Sequence, residues 1–186
     1  MFVKICGIRR KEDIDYVNIL KPDFIGFIFA EGFKRTIDYD VAIELIKKLD
    51  KGILKVGVYL NQDIDYIKEA YDKGIIDYIQ LHGDESDLYI KELKEVVPLP
   101  IINVYRDSIY ADYVLYDSKN PGSGNTFDWN EIKKGKPFFL AGGLNIDNVL
   151  EAKKLNPFCI DTSSGVETDG VKDFKKMEEF IKRVRI

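Results

Sequence analysis

Two residues able to move protons close two apolar runs of this chain: Cys6 follows "FVKI" and Asp117 follows "YVLY". A thiolate can take a proton from carbon and a carboxylic acid can give one to oxygen, so the two side chains, brought together, would form an acid–base pair. Each also has a plainer reading. A lone cysteine is commonly a small buried hydrophobe, and an aspartate before "SKNPGSG" is a good turn former. Two glycine-bearing stretches suggest a second kind of chemistry. "LAGGLN", with Gly142 and Gly143, and "DTSSGVE", with Ser164 and Gly165, free backbone N–H groups where no side chain blocks an anion. They could equally be a turn and a helix cap. His82, the single histidine, and Arg35, next to Lys34, have structural and solvated readings too.

Something must carry these residues, and the chain supplies repeated elements. Apolar runs rich in β-branched and aromatic residues occupy 2–8, 24–30, 54–60, 78–83, 100–105, 113–117, 137–143 and 158–165. Their near-continuous hydrophobicity fits strands buried on both faces of a parallel sheet. Segments of helical period lie between them. "DVAIELIKKL" stripes Val41, Ala42, Leu45, Ile46 and Leu49 behind a cap at Asp38, and Gly74 ends the next helical segment. "NIDNVLEAKKLN" is expected to be capped by Asn145, and a last helix runs from Asp173.

Eight strand–helix units predict an α/β fold, a (β/α)8 TIM barrel formed by residues 1–186 as a single compact domain. The segment "RDSIYAD" leaves room for little more than a turn, so the fifth helix is expected to be reduced or missing. An open doubly wound sheet is the alternative, but "KICGIRRKED" lacks the glycine pattern of a dinucleotide site after the first strand.

Bulk properties narrow the partners. The 186 residues carry a net charge of −4, which argues against a nucleic-acid surface and leaves room for a local anion pocket. No apolar run approaches a membrane span, and Lys4 interrupts the first one, so neither membrane nor signal peptide is expected. Cys6 and Cys159 read as reduced thiols of a cytoplasmic protein. No cluster has metal-ligand spacing and no nucleotide motif occurs, so neither metal nor cofactor is expected.

In such a barrel the active face lies at the C-terminal strand ends. Cys6, Arg35, Asn61, His82, Asp117, Gly142–Gly143, Asp161 and Ser163–Ser164–Gly165 all fall there, whereas the opposite ends carry lead-ins such as "KPD", "KG" and "LNP". The loops after strands seven and eight are the recurrent phosphate site of barrel enzymes, so a sugar-phosphate ligand is expected.

The ordered stretches "KICGI", "KRTI", "VGVYLN", "QLHGDE", "GSGNTFDW", "LAGGLNIDNV" and "DTSSGVETDGVKD" resemble the phosphoribosylanthranilate isomerase family of tryptophan biosynthesis. The resemblance runs from the first strand to the last helix. It implies a cofactor-free Amadori rearrangement of N-(5-phosphoribosyl)anthranilate to 1-(2-carboxyphenylamino)-1-deoxyribulose 5-phosphate. It implies Cys6 as general base, Asp117 as general acid, and Arg35 as the partner of the anthranilate carboxylate. Gly142, Gly143, Ser164 and Gly165 would hold the phosphate, with His82 and Asp161 near the substrate. Lys4, on the same strand face as Cys6, is expected to lower the pKa of the thiol. The loop after Asp117 is shorter than is common in the family and carries Pro121 where a paired glycine often stands. A histidine-pathway sugar-phosphate isomerase on this scaffold would end the first strand on aspartate instead, and a non-catalytic phosphate-binding barrel would need neither Cys6 nor Asp117. Either a monomer or a homodimer fits the sequence.

Overall fold

The apolar runs become eight parallel strands that close on themselves: β1 (Phe2–Cys6), β2 (Phe24–Ile28), β3 (Leu54–Tyr59), β4 (Tyr78–Leu81), β5 (Ile101–Val104), β6 (Tyr113–Tyr116), β7 (Phe138–Leu140) and β8 (Cys159–Thr162). The computed structural model describes residues 1–104, 106–118, 126–132 and 135–186. Each strand is shorter than its apolar run, and after β1, β2, β6 and β7 the run continues into buried mouth residues: Gly7 and Ile8, Phe29 and Ala30, Asp117, and Ala141. Closure is made by β1 against β8, with Lys4 opposite Asp161.

Helices α1 (Lys11–Leu20), α2 (Tyr39–Ile46), α3 (Ile64–Asp72) and α4 (Asp87–Val96) follow the first four strands. Asp38 caps α2 by accepting from the Val41 N–H at 2.8 Å. Its inward stripe is Tyr39, Ala42 and Leu45, while Val41, expected on that stripe, is exposed because it lies about 100° around the helix from Ala42. Gly74 ends α3 with φ +67°, the left-handed conformation expected there.

The far side of the barrel is thinner. Among the described residues between β5 and β6 there is only a turn at Ile109–Tyr110, as "RDSIYAD" predicted. The next connection is reduced as well, to a single 3-10 turn at Trp129–Glu131 among its described residues. Its sequence explains this: Trp129 and Ile132 pack on the core, and Gly135 and Pro137 follow too soon for a longer amphipathic stripe. Lys136 bridges the two thin connections by donating to the carbonyl oxygens of Ser108 and Ala111.

After β7, helix α5 is short (Val149–Lys153) and begins at Asn148, not Asn145. Asn145 is drawn into the preceding turn, where its side chain accepts from the Asp147 N–H at 2.8 Å. Beyond β8 come a 3-10 turn (Ser164–Val166), a small hairpin of β9 (Glu167–Thr168) and β10 (Val171–Lys172), and α6 (Phe174–Arg185), capped by Asp173. Among the described residues no helix is long and apolar enough to cross a membrane.

Candidate active site

Alternation along a strand sends Lys4 and Cys6 to the same side of β1, and Gln80 and His82 to the same side at the end of β4. The side chains that meet there form one polar row across the barrel mouth. Lys4, fully buried, donates to Asp161 Oδ2 at 2.6 Å and to Gln80 Oε1 at 2.8 Å. Gln80 Nε2 lies 2.9 Å from His82 Nδ1, and His82 Nε2 lies 3.4 Å from Asp117 Oδ2. Asp117 also accepts from the Ser118 N–H through Oδ1 at 2.6 Å. Cys6 shares the Lys4 side of β1 and feels the ammonium's charge, so the row runs from the thiol to the carboxyl.

Cys6 fits because its neighbour on β2 is Gly26: a Cβ there would stand 2.6 Å from the sulfur. Lys4 does pull the thiol pKa down, as expected, but the net lowering is not reached. Burial pushes Cys6 above its ordinary value, against the opposing pull of Lys4 and Lys172. The Asp161 carboxylate adds a smaller push in the same direction as burial. Burial likewise works against charge on Lys4, but the adjacent Asp161 carboxylate outweighs it and raises the Lys4 pKa, so the ammonium keeps its proton.

Arg35 lies beside the thiol, with its side chain over Gly7. Its fork is already occupied: Nε and Nη2 donate to the two oxygens of Glu167 at 2.8 and 2.6 Å. Glu167 in turn accepts from the buried Lys172 at 2.7 Å. Burial alone would raise Glu167, yet Arg35 and Lys172 hold it down to about 2. Burial lowers the Lys172 pKa despite Glu167.

The two glycine stretches meet as expected. Gly142 has φ +85°, and a Cβ there would stand 2.7 Å from the Ser118 nitrogen, so the β7 turn packs directly on the backbone beside Asp117. Asn145 and Asn148 both donate to the Gly143 carbonyl oxygen, so the turn's acceptor is already engaged. Gly165 packs against Leu144 so closely that a Cβ would stand 2.0 Å from its carbonyl oxygen. That same oxygen accepts from Thr162 Oγ1 at 2.6 Å, which braces the two turns as one unit.

Thus Cys6, Arg35, His82, Asp117, Asp161 and the turns of Gly142–Gly143 and Ser164–Gly165 are all gathered at the mouth. Pro121 and Gly122, in the loop after Asp117, lie outside the described residues. Sequence reasoning passed over Gln80, Glu167, Lys172 and Gly26. A lysine or glutamine inside an otherwise apolar parallel strand was a usable signal, since a buried polar group needs a partner.

Eight closed parallel strands with polar side chains gathered at their C-terminal ends define an α/β-barrel enzyme. The profile of the N-(5'phosphoribosyl)anthranilate (PRA) isomerase family matches residues 3–183, and the chain belongs to that family. It is 48% identical to an N-(5'-phosphoribosyl)anthranilate isomerase of Endomicrobium trichonymphae, over 98% of each protein. It is similar to the crystal structure of phosphoribosyl anthranilate isomerase from Thermus thermophilus, with a TM-score of 0.90 and 30% identity, covering 100% of this chain and 98% of that one. A second similar structure is a phosphoribosyl anthranilate isomerase in complex with reduced 1-(o-carboxyphenylamino)-1-deoxyribulose 5-phosphate, at a TM-score of 0.85 and 29% identity, with 100% and 98% covered.

Proposed function

We infer that the chain is a single-domain enzyme that isomerises N-(5-phosphoribosyl)anthranilate to 1-(2-carboxyphenylamino)-1-deoxyribulose 5-phosphate in tryptophan biosynthesis, with Asp117 as acid and Cys6 as base. The observation that carries this assignment is the polar row itself, which has a thiol at one end, a carboxyl at the other, and a braced pair of glycine turns alongside.

Asp117, in its acid form, gives a proton to the furanose ring oxygen as the C1′–O bond breaks, leaving a Schiff base. Cys6 then removes the C2′ proton to give an enolamine, which tautomerises to the ketone. The buried thiol is a reluctant anion in the free protein, and the cationic iminium formed first supplies the charge that favours its thiolate. The order of steps is thereby acid first, base second.

Backbone N–H groups of Gly142–Gly143 and Ser164–Gly165 hold the phosphate. Arg35 takes the anthranilate carboxylate at the other end, in competition with Glu167. Asp161 Oδ1, buried and without a hydrogen-bond partner among the described residues, accepts from a sugar hydroxyl. Anchoring both ends orients C2′ between acid and base. Two buried, unpaired cysteines support a reducing compartment, and the reaction is read as cytoplasmic on that ground.

The deciding assay follows the loss of phosphoribosylanthranilate fluorescence with purified protein. Turnover without added metal or cofactor is the expected result, and no turnover at micromolar enzyme would sink the reading.

A further inference from the structure

The hydrogen-bond row fixes more than distances. The Lys4 ammonium has only hydrogens to offer, so the Gln80 atom facing it at 2.8 Å must be the carbonyl Oε1. The Gln80 amide therefore cannot be turned around, and its NH2 group points at His82 Nδ1 across 2.9 Å. An NH2 group donates and never accepts, so Nδ1 must present its lone pair. A hydrogen on Nδ1 would face the amide hydrogens, two donors without an acceptor. The ring hydrogen is left on Nε2, a buried atom that makes no hydrogen bond among the described residues and lies 3.4 Å from Asp117 Oδ2. The charged and titratable groups around this row are Lys4, Asp161, Cys6 and Asp117.

We propose that Gln80 is a positioning residue that locks His82 in the Nε2–H tautomer, so that an N–H donor is held toward the carboxylate that Asp117 becomes once it has given up its proton. The second half of this inference rests on the acid role of Asp117. The geometry gives it a differential character. A contact of 3.4 Å is slack in the resting protein and can shorten as negative charge develops on Asp117, so its benefit falls on turnover more than on substrate binding. Asp161 acts one step further out, by keeping Lys4 charged and pointed at Gln80.

The chain has one histidine, which makes the test direct. A long-range proton–nitrogen correlation spectrum of the nitrogen-15-labelled protein contains imidazole signals from His82 alone. The expected spectrum shows Nε2 protonated and Nδ1 bare, and a wild-type spectrum with the proton on Nδ1 overturns the proposal. Gln80→Glu keeps the length and the acceptor for Lys4 but offers Nδ1 only a carboxylate. It should put a hydrogen on Nδ1 and lower kcat on the order of 10- to 100-fold, with KM changed less than about threefold. His82→Gln keeps an N–H donor near the Nε2 position with no second ring nitrogen to set. On that background, adding Gln80→Glu should cost less than about threefold more. Normal kcat in Gln80→Glu despite a hydrogen on Nδ1 overturns the catalytic half. The isomerase reading fails separately, on the wild-type turnover assay, and leaves the tautomer spectrum standing.

Discussion

At the N-terminal ends of the strands the barrel is floored by rings. Phe139 packs at 5.7 Å from Phe24, 5.4 Å from Tyr113 and 5.5 Å from Phe158, and Phe24 continues the set to Phe2 and Tyr78. At the opposite ends, Lys4, Gln80, His82, Asp117 and Asp161 meet in a polar row, and Asp161 Oδ1 has no hydrogen-bond partner among the described residues. The floor consists of apolar surface removed from water, a non-directional stabilisation. The mouth consists of directional contacts, some of them left slack. A buried acceptor without a partner costs free energy that packing elsewhere must offset, so the mouth is a site shaped at the expense of local stability.

Substitutions at the two ends should separate stability from turnover. The largest effect belongs to the mouth: Cys6→Ala and Asp117→Asn should each lower kcat about 10²- to 10⁴-fold, with thermal unfolding little changed. Turnover within tenfold of wild type in either variant would remove that residue from its role. At the floor, Phe139→Ala should destabilise the protein by about 3–5 kcal/mol in urea unfolding and leave kcat of the folded fraction nearly intact. A large loss of kcat there would mean that the floor also tunes the mouth.

Smaller effects come from titration. Because burial raises the Cys6 thiol above its ordinary 9.0, kcat/KM, which reports the free enzyme, should still be climbing as pH passes that value. A plateau reached below it would show that another group limits the rate. Glu167 gives the smallest effect, on stability. Its folded pKa of about 2 lies below the ordinary 4.5, so its contribution is complete above 4.5 and is lost as pH falls toward 2. Glu167→Gln should therefore be less stable than wild type at neutral pH, with the gap closing toward pH 2. A gap independent of pH would mean that Glu167 acts through shape alone.

The apolar runs exposed the barrel because parallel strands buried on both faces leave a signal that needs no partner to read. The mouth residues were legible for a related reason, since topology puts every C-terminal strand end on one face. Pairings were not legible. Gln80 reads from sequence as one polar residue, and its meaning comes from Lys4, 76 positions earlier. The clasp of Arg35 by Glu167 spans 132 positions and depends on the β9–β10 hairpin, which is too short to leave a periodic pattern. The Cys6 pKa failed for a different reason: the pull of Lys4 was visible, but the depth at which the fold buries the thiol was not. The late start of α5 was set by the local bonds of the turn, in which Asn148 stands at the helix start and its side chain accepts from the Asn145 N–H instead of capping.

The seam between β1 and β8 bears on how the chain acquires its shape. Lys4 belongs to the first strand made and Asp161 to the last, 157 positions away. Until the last strand arrives, burying Lys4 would strand an ammonium with Gln80 as its only partner in the row, a state that loses much of its solvation and gains little in return. The N-terminal strand is therefore held back from settling while the chain is being synthesised, and ring closure and neutralisation of that ammonium become a single late event. A barrel truncated before β8 would lack a strand and also keep an uncompensated charge at its centre, which disfavours closure of the partial ring.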